Sequence, residues 1–287
     1  MVEHGVRVGI VQFTSDKGVP PHRLAPLVEA AGFASYFVPE HGHIPTRRDA
    51  AHPGTGTSEL PDERYLRTLD PWTSLAAAAA VTERIELATA VALPVQSDPI
   101  TLSKTIATVD HLSEGRVTLG VGFGWNLDEL ADHGVPAGRR RTMLREYLQA
   151  MRALWRDEEA SYDGEFVSFG PSWAWPKPPG AVPVLVGAGG TDKNFAWIAK
   201  YADGWITTPQ DRGIGEAAGR LARAWRENGR DGAPRIVALD GRPDPARLAR
   251  WADAGVTDVL YPVDDSSEEA AERYLEGLAT AMGPALR

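Results

Sequence analysis

The chain of 287 residues contains no cysteine. That one absence removes disulfides, thiolate metal ligands and thiol nucleophiles together. An excess of positive charge is missing too: 30 Lys and Arg stand against 39 Asp and Glu, for a formal net charge of −9. A nucleic-acid backbone or an anionic membrane surface is therefore an unfavourable partner. A local anion site stays open, because helix N-termini and a few Lys or Arg suffice for one. Long apolar runs are lacking. The nearest approach, "LAAAAAV" at 75–81, is far too short to cross a bilayer. The opening "MVEHGVRVGIVQFT" has no apolar h-region and enters a strand pattern at once, so the expectation is a cytoplasmic protein without a signal peptide. Histidine is unevenly spread: the seven stand at 4, 22, 41, 43, 52, 111 and 133, with none beyond.

The apolar fraction of 43% and charged fraction of 24% are those of an ordinary globular protein with material for a sizeable core. Short β-rich apolar runs alternate with helical patterns. The runs are 6–13, 35–39, 85–93, 116–122, 182–187, 204–208, 235–241 and 257–263. Three Asp-Pro pairs, Asp70-Pro71, Asp98-Pro99 and Asp244-Pro245, open helices: Asp caps free N–H groups, and Pro fits the first turn, where its missing N–H had no partner. Gly115 is placed to end the helix begun at Asp98. Residues 139–155 carry apolar side chains at three-and-four spacing, as one face of a long helix. Residues 157–181, with Trp173 and Trp175, read as an excursion containing a small hairpin. Eight strands alternating with helices predict an α/β chain, a (β/α)8 TIM barrel over 1–287 as one domain, with the excursion after the fourth helix. A doubly wound open sheet is the alternative, but eight strands in one layer would be long for it.

In a barrel, chemistry sits at the C-terminal ends of the strands. There the chain places Gln12 to Thr14, Glu40 and His41, Ala90 to Leu93, Gly122 to Asn126, Gly187 to Gly190, Thr207, Thr208, Asp240 and Tyr261. Few charges among many glycines and apolar groups suit a planar organic ligand better than a hydrolytic metal centre. His41-x-His43 has the spacing of a metal pair, but three or more protein ligands are usually needed and the later strands offer no imidazole. No metal site is expected, and His43 reads as a solvated loop residue. "VGAGGTDKN" (186–194) combines a strand, a glycine cluster and a helix start, with Lys193 adding a cation. That combination can cradle a phosphate; the alternative is a tight turn with no ligand. It is not a Rossmann fingerprint, since Asp192 stands where that motif needs glycine. In "LGVGFGWN" (119–126), Gly120, Gly122 and Gly124 alternate. Either something flat lies close to them or the barrel packs densely there.

The ordered series "PEHGHIP" (39–45), the stretch 69–130 from "LDPWTSL" through "LGVGFGWNLDEL", "YLQAMRALW" (147–155), "YDGEFVSF" (162–169) and "PVLVGAGGTDKNFAWIAKYADGWI" (183–206) resembles the luciferase-like flavin/deazaflavin oxidoreductases, most closely their coenzyme F420-dependent branch. The resemblance covers residues 39–208; beyond about 210 the chain matches only as generic barrel. It implies an isoalloxazine-like ring at the top of the barrel, backed by strand three, where a non-prolyl cis peptide would fall near Ala90-Val91. It implies that His41 contacts the ring or the reacting substrate, with Glu40 as a proton acceptor or packing partner. Trp125 and Asn126 would line the ring pocket, and the backbone of Gly187, Ala188, Gly189 and Gly190 would hold the cofactor's phosphate. Arg47, Arg48, Arg139, Arg140 and Arg141 are candidates to receive an anionic cofactor tail. The activity implied is F420-dependent hydride transfer with a small organic substrate. The alternatives are an FMN-dependent two-component monooxygenase and a non-catalytic flavin-binding paralogue. Relatives are often homodimers. The loop 42–69 and the Trp173–Trp175 excursion depart from the family pattern, the latter as a lid over the substrate peculiar to this chain.

Overall fold

In the computed structural model, which describes residues 5–209 and 213–283, eight short strands pair in parallel around a closed ring. The first half runs β1 (Arg7–Val11), α1 (Pro21–Ala30), β2 (Ser35–Val38), α2 (Pro71–Ala79), β3 (Glu86–Thr89), α3 (Pro99–Leu112) and β4 (Val117–Gly122). A short α4 (Leu127–Asp132) and a long α5 (Arg140–Arg156) follow, then an antiparallel hairpin of β5 (Ala160–Asp163) and β6 (Ser168–Ser172). The barrel resumes with β7 (Val184–Gly187), α6 (Asp192–Tyr201), β8 (Gly204–Ile206), α7 (Ile214–Glu227), β9 (Arg235–Leu239), α8 (Pro245–Asp253), β10 (Asp258–Pro262) and α9 (Glu268–Met282). The ring order is β1-β10-β9-β8-β7-β4-β3-β2. This is the expected (β/α)8 barrel. Among the described residues no helix is long and apolar enough to cross a membrane.

Parallel strands covered on both faces must be apolar throughout, and β2 and β4 are buried at every position. One set of their side chains meets the helices. The other fills the lumen with Phe37, Ala88, Leu185, Ile206, Val237 and Leu260. Val11, Ala90, Val91 and Leu239 pack on this plug from the side of the strands' C-terminal ends and floor the mouth. At the N-terminal end, Arg235 bridges Glu86 at 2.6 Å and Asp258 at 2.8 Å, and Arg7 joins both carboxylates. Charges drawn from β1, β3, β9 and β10 thus pair across that end instead of standing alone in the interior.

The Asp-Pro starts behave as expected: Asp70, Asp98 and Asp244 each accept the N–H of the residue three further on. Gly115, at φ +84°, follows the end of α3. The third strand is shorter than the apolar run 85–93 implies. After Thr89 the chain leaves the ladder at a cis Ala90-Val91 peptide, keeps one bridge from Ala92 to Val121, and makes a 3-10 turn over Pro94–Gln96. Helix α4 is absent from the sequence reading, because six residues are too few to show a period.

One open alternative closes and one expectation changes. The alternating glycines of β4 serve packing: a Cβ on Gly120 would lie 1.9 Å from the Thr89 carbonyl oxygen, and one on Gly122 would lie 2.6 Å from the Val91 side chain. The excursion after α5 is not a lid. Helices return the chain to the N-terminal face, and β7 must begin there, so the segment between them belongs to that face. Pro179 accordingly lies beside Gly115, just ahead of β4, and the Trp175 carbonyl oxygen is held by Lys104 on α3. Only the hairpin tip climbs back along α5, where Glu165 pairs with Arg139. Trp173 and Trp175 are exposed on the outer surface.

Because Gly120 faces backbone rather than a yielding side chain, Gly120→Ala should cost about 3 kcal/mol or more, or prevent folding. Urea unfolding measures this, and an unfolding midpoint equal to that of the parent would remove close approach as the reason for glycine there.

Candidate active site

The end of β2 builds the first corner of the mouth. Glu40 donates its backbone N–H to the Val91 carbonyl oxygen at 3.2 Å, and its Oε2 accepts the Leu93 N–H at 2.5 Å. One residue thus clasps the turn after β3 from both sides. Its carboxyl group is enclosed although the residue as a whole is partly exposed. Burial pushes that carboxyl up to about 7, against the Leu93 hydrogen bond; the nearby charges of Asp70 and Glu129 raise it further and His41 lowers it.

His41 turns the other way. Its Nδ1 lies 2.9 Å from Oε2 of Glu129, which is wholly buried, and the Gly42 N–H donates to the second oxygen of Glu129 at 3.2 Å. The ring meets Tyr65 at 5.3 Å and the edge of Trp125 at 5.8 Å. Tyr65 stands on a 3-10 turn, Glu63–Leu66, capped by Asp62, so the long loop 42–69 folds back over the corner. His52 supports it: Nδ1 accepts the Gly54 N–H, which leaves Nε2–H to donate to the Tyr65 hydroxyl at 2.9 Å. Burial and the neighbouring His41 hold His52 below the usual imidazole value. His43 is exposed and pairs with Asp132 at the surface.

Asn126 is the N-cap of α4; its Oδ1 accepts the Glu129 N–H at 3.4 Å. The residue is 2% exposed, yet Nδ2 has no partner among the described residues. Thr14 Oγ1, beyond the end of β1, is likewise buried and unpaired among the described residues. Orphaned donors of this kind are rare in folded proteins and suit a site that receives polar ligand atoms.

The second corner lies across Val91. A Cβ on Gly187 would come within 2.5 Å of that side chain. Ala188 receives the Trp205 indole N–H at 2.6 Å, and Gly189 receives Thr191 N–H and Asn194 Nδ2. Gly190 receives Arg220, and Gly189 faces open space. Thr191 caps α6, whose ten residues direct their N-terminal dipole at this turn. Arg141 reaches it from α5: the guanidinium lies 4.0 Å from the Phe123 ring centroid and donates to Asn194 Oδ1 at 2.6 Å. Among the described residues it has no carboxylate partner, whereas Arg139 is taken up by Glu165 and Arg48 and Arg140 bond to nearby carbonyls. Lys193 points to solvent. Beside both corners, towards β8 to β10, a cavity of about 740 Å³ opens on Val11, Leu239 and Leu260, with Ile214 and Trp251 in its walls. It shares the apolar floor but does not touch Glu40 or His41.

The structure therefore gathers Glu40, His41, Trp125 and Asn126 on one side of Ala90-Val91 and Gly187 to Gly190 on the other. Sequence reading overlooks Glu129, Tyr65 and His52. A signal for Glu129 exists: Asn126-x-x-Glu129 has the spacing of a capping box.

A model of the luciferase-like monooxygenases matches residues 21–282. The chain belongs to the luciferase-like monooxygenase family. An uncharacterized protein of Mycobacterium tuberculosis is 65% identical over 275 residues, 96% of this chain and 98% of the relative. Two solved structures resemble this luciferase-like chain along its length. The monooxygenase RslO1 of Streptomyces bottropensis has a TM-score of 0.77 at 20% identity, covering 98% of this chain and 100% of its own. An F420-dependent secondary alcohol dehydrogenase, in complex with an F420-acetone adduct, has a TM-score of 0.76 at 18% identity, covering 99% of each. At these identities the likeness shows the fold alone.

Glu40 makes a pH prediction for this luciferase-like barrel. Its folded value, about 7, lies above the ordinary 4.5, so the stability it lends is complete below about pH 4.5 and is lost as pH rises through 7. Glu40→Gln keeps an acceptor for Leu93 and stays neutral. Its stability relative to the parent should climb across that window, by up to about 3 kcal/mol. Denaturation at a series of pH values measures this; parallel curves would mean that Glu40 ionises without penalty.

Proposed function

We propose that the protein is a coenzyme F420-dependent oxidoreductase acting on a small organic substrate. The observation that carries this reading is Arg141, a partly buried guanidinium without a carboxylate partner among the described residues, held at the N-terminus of α6 beside the open face of Gly189. A helix dipole, a glycine turn and an unneutralised Arg together favour a phosphate-bearing ligand. The orphaned Asn126 Nδ2 and Thr14 Oγ1 supply donors where a ring with polar edges would lie, and Val11, Val91 and Leu239 supply an apolar floor for it. The residues fit the group.

When bound, the deazaflavin supplies two-electron hydride chemistry. The protein's part is orientation, exclusion of water and management of one proton. Gly187 to Gly190 and Arg141 bind the anionic portion. Trp125, Tyr65 and His41 wall the ring side, and the cavity towards β8 to β10 leaves room for a substrate. Nε2 of His41 makes no hydrogen bond to a described residue, so it is the atom free to take or give the proton. Glu40 contributes by holding the turn that carries the floor. The fold is shared along its length with an F420-dependent alcohol dehydrogenase and with the monooxygenase RslO1, so it accommodates this reading and also the second one, an FMN-dependent two-component monooxygenase.

Fluorescence titration with F420 and with FMN decides between them. Micromolar binding of F420 is expected, with Arg141→Ala weakening it roughly 10-fold or more. Binding of FMN alone would overturn the deazaflavin reading, and binding of neither would favour a non-catalytic paralogue. Given a working substrate, His41→Ala should lower turnover about 100-fold or more. Unchanged turnover would remove His41 from proton transfer.

A further inference from the structure

Glu129 stands in the first turn of α4, three residues after the cap Asn126. At that spacing a glutamate ordinarily turns back to the N–H of the cap residue. This one does not. Its two oxygens reach out of the helix to Nδ1 of His41 and to the N–H of Gly42. Glu129 is 0% exposed, and no Lys or Arg among the described residues pairs with it. A carboxylate is costly to bury, and here the imidazole corner is what compensates it.

The geometry has a chemical consequence. A carboxylate only accepts, so the hydrogen between it and the ring must sit on Nδ1. In the neutral imidazole Nε2 then carries the lone pair. Tyr65 and Trp125 flank the ring, and Gly42, anchored to the same carboxylate, fixes the backbone beside it. The other titratable groups near the ring are Glu40 and His52. His52 is held in the opposite tautomer by its own contacts and does not compete for Glu129.

We propose that Glu129 is the positioning residue of this site: it holds His41 as the Nδ1–H tautomer and so presents Nε2 to the mouth as a proton acceptor that can return the proton once charged. The proposal rests on the reading of His41 as the proton-handling group. It adds the residue that decides which nitrogen does the work; Glu129, 0% exposed, acts through His41.

The test begins on cofactor-free protein labelled with 15N-histidine. Long-range 15N–1H spectra, at a pH where the ring is neutral, report the tautomer of His41. The parent should show Nδ1–H. Glu129→Ala should move most of the population to Nε2–H. Glu129→Gln, which keeps the shape but offers one acceptor to two N–H donors, should split it; this variant serves if the alanine form does not fold. In turnover, both should lower kcat about 10-fold or more with KM changed less than about 3-fold, and Glu129→Asp should recover part of the loss. An Nε2–H tautomer in the parent, or Nδ1–H unchanged in both variants, overturns the proposal. Failure of the cofactor reading would appear in the F420 and FMN titrations and would leave the tautomer populations untouched.

Discussion

The mouth of this barrel depends on one steric constraint. Val91 occupies the space that side chains on Gly122 and Gly187 would claim. With both glycines bare, the turn after β3 leans across the ends of β4 and β7 and closes the lumen with an apolar floor. Glu40 locks that arrangement from β2, through its N–H to Val91 and its carboxyl to Leu93. Four neighbouring strands are thereby tied together at the level where a ligand would lie. Dense packing is a general property of protein interiors, but here it fixes the height and tilt of the surface on which chemistry is arranged.

Around that floor the polar groups divide by role. On the β2 side a carboxylate, an imidazole and a ring of aromatic neighbours enclose a single proton-bearing unit. On the β7 side the N-terminus of α6, backbone turns and the guanidinium of Arg141 make a corner that favours negative charge. The two acidic side chains of the first corner have different partners. Glu40 has one backbone donor, and burial dominates, pushing its carboxyl up to about 7. Glu129 has an imidazole and a backbone N–H, one for each oxygen. The same residue type thus clasps a turn at one position and orients a ring at the other.

Much of this was legible in the chain, and the reasons are local. Asp-Pro starts at 70, 98 and 244 encode helices through capping that needs no distant partner. The alternation of strand and helix implies the barrel because each βαβ unit has one favoured hand and a closed ring leaves no edge. Placing Glu40 and His41 at a strand end followed from counting. The Trp173–Trp175 excursion misled for an equally plain reason: composition suggests a lid, while chain direction puts the segment at the opposite face. Tyr65 and His52 lie in a loop with no period to reveal which side chains turn inward.

The sequence by itself determined the barrel, its strand ends, its helix starts and the family. These follow from periodicity, caps and an ordered set of segments, all properties of short stretches read in line. Only the tertiary structure decided that β4's glycines make way for Val91 and Thr89 rather than for a ligand, that Arg141 among five arginines meets α6, and that Glu129 faces His41 across 88 positions of chain. Those contacts join residues far apart in sequence, and a pairing of that kind exists only once the ring has closed.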